Sequence, residues 1–307
     1  KIVNASYPIA GRRIALHRDL IGRVYIIDSP HRRAVLKIYR GFHTDNALQT
    51  VGILNYLRDN NYPAVSVIPT NSGDAKVTFD TPEGRTVGIL YDYVEGTTPD
   101  IDTETESIGA QVGWLHRLMR GYPGRLISTT KSLYIDDYIR VMEDMGYAPE
   151  RVSQLREYGD ELWKRLVGLP KGFCHGDMHT GNMLRTEDGR FVLFDFDEAS
   201  SDYPIVDVAY LGDATDFNHF RESAYDKTMR RFQRFYEGYG KESALSEQEV
   251  DAIPDVIAIR HYTILGRIIR CQGTQDISRK FLDEQCEWLL EWRNQGLPNR
   301  EPQIAIP

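Results

Sequence analysis

The most constraining feature of this 307-residue chain is a polar segment set between short apolar runs. Residues 175–182 read HGDMHTGN, and residues 195–197 read DFD directly after the apolar run FVLF. Asp177 is followed five positions later by Asn182, and Asp195 lies thirteen positions beyond that. The flanking apolar runs predict short strands, which would hold these polar side chains at their ends. An amide and a carboxylate are the hard oxygen donors that Mg²⁺ prefers when phosphates complete its shell.

The spacing of these three residues is typical of a kinase-type phosphoryl-transfer site, and the interval from Asp177 to Asn182 matches the protein-kinase catalytic loop. The segment resembles the catalytic loop and metal aspartate of the aminoglycoside phosphotransferase, choline kinase and homoserine kinase-like superfamily. Members of that superfamily share the protein-kinase-like fold and mostly phosphorylate small molecules. The resemblance implies that Asp177 is the catalytic residue that orients a hydroxyl, and that Asn182 and Asp195 hold the metal.

Five more residues near the motif are candidates for supporting roles. The resemblance implies that His175 shapes the catalytic loop and that Asp207 braces it from the next helix, both as structural support. Asp197 would share a face with the metal aspartate if the strand continued, so a second-metal or substrate role stands beside a structural one. Glu198 and Asp202 are further candidates for the substrate or a second metal.

The N-terminal third supplies the candidates for nucleotide binding. Lys37 is a lone cation in the apolar run AVLKI and resembles the strand lysine that pairs the α- and β-phosphates. A surface lysine on an edge strand is the alternative. Gly22 stands where a phosphate-covering glycine loop would lie, although no Gly-x-Gly-x-x-Gly is present. By analogy with the fold, backbone groups at Tyr91 and Tyr93 would face the adenine ring.

One residue that the family usually has is missing. A glutamate in the helix after the lysine strand normally pairs with the lysine, but no glutamate precedes Glu83 in this chain. The helix predicted over residues 44–59 offers Gln49 or Thr50 near the expected place, and Asp45 at its start. The sequence therefore leaves open what holds Lys37.

The order of predicted elements extends the resemblance along nearly the whole chain. We predict an α+β, bilobal protein-kinase-like fold with a small antiparallel-sheet N-lobe, one main helix in it, and a larger, mostly helical C-lobe. The nucleotide-binding lobe is expected over residues 1–94, and the lobe with the catalytic loop and substrate site over residues 95–307. Predicted strands cover residues 23–27, 34–39, 65–69, 76–79 and 86–94; predicted helices cover 44–59, 103–119, 131–144, 150–167, 203–217, 221–239, 246–271 and 276–293.

Two rival interpretations of the motif are weaker. His175, Asp177 and His179 form a His-x-Asp-x-His pattern that could bind a transition metal, but no third histidine follows at short spacing. The DFD run also resembles the Asp-x-Asp of aspartyl-phosphate phosphatases. That motif usually follows the first strand of an α/β fold, whereas here it lies two-thirds along the chain. No Gly-x-x-x-x-Gly-Lys-Ser/Thr segment is present, which excludes the usual P-loop signature.

Composition limits the partners. The net charge of −8 argues against nucleic acid, and no apolar run approaches the ~20 residues of a membrane span. Three widely spaced cysteines and the lack of an evident signal peptide favour a reduced, cytoplasmic protein. We expect a monomer or a homodimer. Residues 195–220 carry seven carboxylates and no lysine or arginine, which would suit a cationic acceptor.

These observations predict a phosphotransferase that moves the γ-phosphate of ATP, with GTP as the open alternative, to a hydroxyl of a small molecule. Mg²⁺ is the expected cofactor, and an amino sugar such as an aminoglycoside, or an amino alcohol, is the expected acceptor. The alternatives are a stress-response-type protein Ser/Thr kinase of the same fold and a catalytically silent nucleotide-binding module. A metal-dependent hydrolase is the weakest alternative.

Overall fold

The computed structural model describes residues 2–19, 22–81, 84–273 and 277–296. In chain order these residues form α1 (Ile2–Ser6), β1 (Arg13–Asp19), β2 (Gly22–Asp28), β3 (Arg33–Tyr39), α2 (Thr44–Asp59), β4 (Val67–Ile68), β5 (Val77–Thr81), β6 (Gly84–Asp92), α3 (Ile101–Met119), α4 (Asp137–Asp144), α5 (Pro149–Leu166), β7 (Gly172–Cys174), β8 (Met183–Arg185), β9 (Phe191–Leu193), β10 (Ser200–Asp202), α6 (Ile205–Gly212), α7 (Ala224–Tyr239), α8 (Glu247–Asp251), α9 (Ile253–Gln272) and α10 (Arg279–Gly296). Short 3₁₀ turns cover Gly41–His43, Thr180–Asn182 and Phe196–Glu198, and a π-helix covers Ser132–Asp136.

The chain divides into two compact units. The first unit comprises Lys1–Pro99, Tyr122–Ile127 and Thr180–Ala199, and the second comprises Asp100–Gly121, Ser128–His179 and Ser200–Pro307. The motif is therefore divided: Asp177 belongs to the second unit, whereas Asn182 and Asp195 belong to the first. The predicted lobe boundaries, at residues 94 and 95, stay a prediction.

The first unit is built on an antiparallel sheet in the order β1-β2-β3-β6-β4, with β5 also pairing with β6. The β2–β3 hairpin pairs Asp28 with Arg33 at its tip. Side chains alternate along β3, so Ala34 and Leu36 lie in a buried apolar cluster while Lys37 belongs to the opposite face. Residues Val35, Lys37 and Tyr39 thus share one side of the sheet.

The second unit is mainly helical, and its closest packing is between α3 and α7. Glycines at the crossing let the two backbones approach, because a Cβ on Gly238 would overlap the carbonyl oxygen of Glu106. The short strands β7 and β10 pair antiparallel, with Cys174 opposite Ser200. Among the described side chains, Cys174 and Cys286 are buried free thiols.

The antiparallel sheet followed by helices agrees with the predicted α+β architecture, with three differences in detail. β1 is not predicted; its apolar stretch is short, and Ile14 and Leu16 are exposed at the edge of the sheet instead of packing in a core. The helix predicted over residues 203–217 covers only Ile205–Gly212. The helix predicted over 246–271 is two helices, because the chain turns at Ala252 and α9 begins afresh with Pro254 in its first turn.

In the part of the chain that the structure describes, no helix is both long and apolar enough to cross a membrane.

We expect Gly238→Ala to destabilise the protein by about 1–3 kcal/mol, because the added methyl group forces α3 and α7 apart. Gly212→Ala is the control, since its Cβ would meet the Phe232 side chain at an ordinary 3.6 Å. Urea unfolding followed by circular dichroism measures both. Equal stability of the two variants would contradict the close backbone packing.

Candidate active site

A cavity of about 350 Å³ lies within the first unit, on the side of the sheet that carries Lys37. One part of its wall is apolar and the other is charged. The apolar part consists of Val24, Ile26, Val35, Leu54, Val65, Val94, Leu184 and Phe194, with the rings of Tyr91 and Tyr93. The polar part consists of His17, Arg18, Lys37, Tyr39, Thr50, Asp92, Asn182, Asp195 and Asp197.

Lys37 is held by two carboxylates at the charged end of the cavity. Its Nζ lies 2.6 Å from Oδ1 of Asp195 and also forms an ion pair with Oδ2 of Asp197. The lysine side chain is only 13% exposed. Burial alone would lower the pKa of Lys37, but the two carboxylates outweigh it and raise the pKa above its usual value. Lys37 therefore carries its charge in a buried place.

Asp197 is the more deeply fixed of the two carboxylates. Its Oδ1 accepts hydrogen bonds from Tyr39 at 3.0 Å and from Thr50 at 3.3 Å. The Tyr39 hydroxyl also lies 2.7 Å from that of Tyr91. Burial raises the pKa of Asp197, and Lys37 opposes that rise. Each oxygen of this carboxylate thus has a partner inside the first unit.

Asp195 occupies a more open position at the end of β9. Its backbone adopts the left-handed conformation, with φ 64° and ψ 53°, which Asp tolerates better than most residues. Its Oδ2 lies 3.4 Å from the guanidinium of Arg18, a side chain that is half exposed. This carboxylate therefore faces the cavity between one half-exposed partner, Arg18, and one buried partner, Lys37.

Asn182 and Asp195 are brought to the same cavity by the β8–β9 hairpin. Met183 pairs with Leu193, and the Phe194 amide donates to the Asn182 carbonyl at 3.1 Å. Asn182 is 5% exposed. One amide oxygen and one carboxylate fit Mg²⁺, because that ion needs few protein ligands when phosphates supply the others.

Of the two regions expected to contact the nucleotide, the hinge at Tyr91 and Tyr93 lines the cavity, whereas Gly22 is not among the described residues of its wall. Pairing of β6 with β3 ends at Asp92, and Tyr93 and Val94 line the cavity beyond that point. Gly22 is buried in β2 and is absent from the described cavity wall. A Cβ there would lie 2.9 Å from the Ile38 carbonyl oxygen, so close strand packing explains this glycine.

Asp207 organises the loop that bears Asp177 in the second unit. This wholly buried carboxylate accepts hydrogen bonds from the amides of His175 at 2.6 Å and Gly176 at 3.0 Å. It also lies 3.0 Å from Nε2 of His116. Burial raises the pKa of Asp207. His116 and His175 lower it by more than burial raises it, so the pKa of Asp207 lies below its usual value. Gly176 has φ 80°, which suits glycine.

Asp177 lies among positively charged or polar neighbours in the second unit. Its carboxylate is 3.6 Å from Arg267 and 3.7 Å from His179. Burial raises the pKa of Asp177, but His179, Arg267 and His175 lower it well below its usual range. Asp177 is therefore ionised at neutral pH, and 38% of its side chain is exposed.

The remaining candidates take different positions. Asp202 is 1% exposed and accepts a hydrogen bond from Tyr134 at 2.9 Å in the second unit, which favours a structural role over the expected contact with substrate or metal. Glu198 is partly buried in the first unit. Among the described residues, no group of three His, Cys, Asp or Glu side chains is arranged to hold a metal ion.

The acidic stretch offers less to a cationic acceptor than its composition suggests. Asp213 is paired with Arg260 at 2.8 Å, and Asp216 with Arg221 at 3.2 Å. Asp207 contacts His116, as described above. Most of these carboxylates are matched by donors from elsewhere in the same unit, so their number alone does not indicate a cation-binding pocket.

Sequence reasoning missed three residues of these two sites. Tyr39 could have been found, because it lies two positions after Lys37 and so on the same face of the strand. Arg18 lies on the unpredicted strand β1, and Arg267 comes from a helix ninety residues after Asp177. No short-range pattern connects either of them to the motif.

The chain matches the model of the phosphotransferase enzyme family over residues 13–245, which is more than half of its length. It belongs to that family. An amicoumacin kinase in complex with AMP-PNP, Ca²⁺ and Ami has a similar structure, with a TM-score of 0.76 and 18% identity over 96% of this chain and 92% of that one. A microcompartment-associated aminopropanol kinase also gives a TM-score of 0.76, with 16% identity over 99% of this chain and 98% of that one.

A homoserine kinase from Caulobacter vibrioides is 25% identical over 240 residues, which cover 75% of this chain and 72% of that protein. Together with the family match, these similarities confirm the predicted family and the protein-kinase-like α+β fold.

We expect Asp207→Asn to lower the free energy of unfolding at pH 7 by about 3 kcal/mol, because it removes a buried charge that accepts several hydrogen bonds. The pKa of Asp207 is lower in the folded protein than in the unfolded chain, where it is about 4. The ionised carboxylate therefore stabilises the fold above about pH 4, and this contribution is lost as the pH falls through the folded-state pKa. The difference between wild type and variant should therefore shrink in acid.

Urea unfolding at several pH values measures this difference. Asp144→Asn is the control, because Asp144 is exposed at the end of α4. A pH-independent difference between wild type and Asp207→Asn would contradict the assignment of an ionised, stabilising Asp207.

Proposed function

We propose that this protein transfers the γ-phosphoryl group of ATP, or of GTP, to a hydroxyl of a small molecule in the presence of Mg²⁺. The observation that carries the proposal is the cavity of the first unit, where Lys37, Asn182 and Asp195 line one charged end in a member of a phosphotransferase family. An apolar wall beside a cluster of phosphate- and metal-binding groups suits a nucleotide, whose base is flat and whose phosphates are charged.

Each residue has a role that follows from its chemistry. The apolar wall and the backbone at Tyr93 and Val94 would receive the base, and Lys37 would bind phosphate oxygens. Asn182 and Asp195 would hold Mg²⁺, which neutralises negative charge on the phosphates. The similar structure of an amicoumacin kinase, which is a complex with AMP-PNP and Ca²⁺, supports a nucleotide and a divalent cation here.

Asp177 would orient the acceptor hydroxyl for in-line attack. In the proposed step, the acceptor oxygen forms a bond to the γ-phosphorus while the bond from that phosphorus to the bridging oxygen of the nucleoside diphosphate breaks. The hydroxyl proton passes to the carboxylate of Asp177. Its depressed pKa makes Asp177 a weak base, which fits a reaction in which the proton is transferred late.

The acceptor class is proposed from the relatives rather than from charge. Aminopropanol and homoserine each combine an amine with a hydroxyl, and kinases named for them are similar to this chain. We therefore propose an amino alcohol or amino sugar as the acceptor. A panel of homoserine, aminopropanol, choline and aminoglycosides, with a generic protein substrate alongside, tests this class directly.

We expect Asp177→Asn to lower kcat for the best acceptor by about 10²–10⁴-fold, because the hydroxyl loses its orienting carboxylate. Nucleotide affinity should stay close to that of wild type, since Asp177 is not assigned to the nucleotide. ADP release with Mg²⁺ and each acceptor measures turnover. Asp188→Asn, in the exposed turn between β8 and β9, is the control and should leave turnover unchanged.

Unchanged turnover in Asp177→Asn would overturn the mechanism. Nucleotide binding without turnover by wild type on any small molecule would instead favour the catalytically silent module, and transfer to the generic protein would favour the protein kinase.

We expect Asp195→Asn to weaken the Mg²⁺ dependence of nucleotide binding, because the metal loses its carboxylate ligand. Calorimetric titration of AMP-PNP at increasing MgCl₂ concentration measures this dependence, with Asp92→Asn as a control that changes another carboxylate of the cavity wall. A Mg²⁺ dependence that is unchanged in Asp195→Asn would place the metal on other residues.

A further inference from the structure

The structure offers a replacement for the glutamate that α2 lacks. The only carboxylates that contact Lys37 within the described residues are Asp195 and Asp197, and both follow β9 rather than lying in α2. Asp195 is also the proposed metal ligand, so a bound metal would compete with Lys37 for its carboxylate. Asp197 would then remain as the ion-pair partner of Lys37.

The surroundings of Asp197 suit a fixed partner for Lys37 better than a second metal ligand. Its side chain is 9% exposed, against 20% for Asp195. One oxygen binds Lys37, and the other accepts hydrogen bonds from Tyr39 and Thr50. Burial raises the pKa of Tyr39, so its phenol stays protonated and continues to donate.

The α2 helix holds the segment that carries Asp197, and it does so at three points. Thr50 donates to the Asp197 carboxylate at 3.3 Å, Asn46 donates to the Asp197 carbonyl at 2.8 Å, and Gln49 donates to the Ala199 carbonyl at 2.6 Å. Thr50 and Gln49 are the residues that stand near the expected glutamate position. In this chain the helix therefore reaches the lysine through a second carboxylate instead of supplying its own.

We propose that Asp197 is the positioning residue for Lys37, and that Thr50 of α2 fixes Asp197 for this task. This inference rests on the proposed nucleotide-binding function and adds a specific means by which Lys37 is presented to the phosphates. Asp197 does not touch the reacting atoms in this assignment; it acts through the lysine.

A double-mutant cycle in nucleotide binding tests the inference. Wild type, Lys37→Met, Asp197→Asn and the double variant are titrated with AMP-PNP and MgCl₂ by calorimetry. We expect Asp197→Asn to weaken binding about tenfold when Lys37 is present and to have almost no effect in the Lys37→Met background, because Asp197 acts only through the lysine. The Mg²⁺ dependence of binding should be the same in wild type and Asp197→Asn.

Three results would overturn the inference. An equal loss of affinity in both backgrounds would mean that Asp197 acts independently of Lys37, and a shifted Mg²⁺ dependence would make it a metal ligand. No loss in either background would leave Lys37 positioned without Asp197. Asp80→Asn, at an exposed position of β5, is the matched control and should bind as wild type does.

A second variant covers the case in which Asp197→Asn does not fold. Thr50→Val keeps the shape of the side chain and removes the hydroxyl that donates to Asp197. We expect it to weaken AMP-PNP binding severalfold with Lys37 present and not in Lys37→Met, whereas Thr78→Val on exposed β5 should have no effect. An affinity equal to wild type in Thr50→Val would contradict the role of α2.

The two proposals fail in different ways. Absence of nucleotide binding by folded wild type would overturn the proposed function and, with it, this inference. Binding by wild type without coupling between Lys37 and Asp197 would overturn the inference alone.

Discussion

The buried ion cluster of Lys37, Asp195 and Asp197 determines how the first unit is organised around its cavity. It joins a central strand, the segment after β9 and, through Thr50, the helix α2. Desolvating three charges is costly, and replacing such clusters with apolar residues is often neutral or stabilising. A cluster of this kind contributes little to stability for its cost, which favours a functional role for these charges over a purely structural one. If Lys37 binds phosphate as we propose, a lysine already held by a fully bonded carboxylate would do so without reordering its flexible side chain.

The same physical rule explains why charge counts are a poor guide to the acceptor. Carboxylates close together in space raise one another's pKa unless cations or hydrogen-bond donors are close by. In the second unit Arg260, Arg221 and His116 supply those partners to Asp213, Asp216 and Asp207. The arginines lie at later positions in the chain, so a window over residues 195–220 shows only the acids. Trp288 and Trp292 are likewise buried, stacked 5.3 Å apart, and form part of the core rather than an exposed aromatic face.

Sequence alone predicted the elements that have a strong local signal. The alternation of β3 and the apolar run before Asp195 are local patterns, and the structure has strands at both places. The helix over residues 44–59 has the same limits in the structure. β1 was missed because its apolar stretch is short and exposed at the sheet edge. The break between α8 and α9 was missed because the apolar helical period continues across it, although Pro254 signals a new helix start.

The candidate site was predictable to the extent that its residues lie in one motif. The sequence also raised Gln49 and Thr50 as neighbours of Lys37, but their connection through Asp197 depends on contacts across about 150 positions of the chain. Such contacts follow from the register of the β8–β9 hairpin and the packing of α2, which a single sequence does not specify. The pairing of Asp177 with Arg267 of α9 is likewise a long-range contact that no local pattern in the sequence specifies.

The contrast between Asp177 and Asp197 bears on the kind of catalysis that this chain can perform. Burial dominates at Asp197 and raises its pKa, whereas His179 and Arg267 outweigh burial at Asp177 and depress its pKa. A depressed pKa makes Asp177 an inefficient base towards an unreacted hydroxyl, whose proton is held far more tightly. In a loose phosphoryl-transfer transition state the attacking oxygen becomes acidic only as the new bond forms, so early deprotonation is not needed. In the proposed mechanism an ionised Asp177 would contribute mainly by orienting the hydroxyl, and the neighbours that lower its pKa keep it ionised at neutral pH.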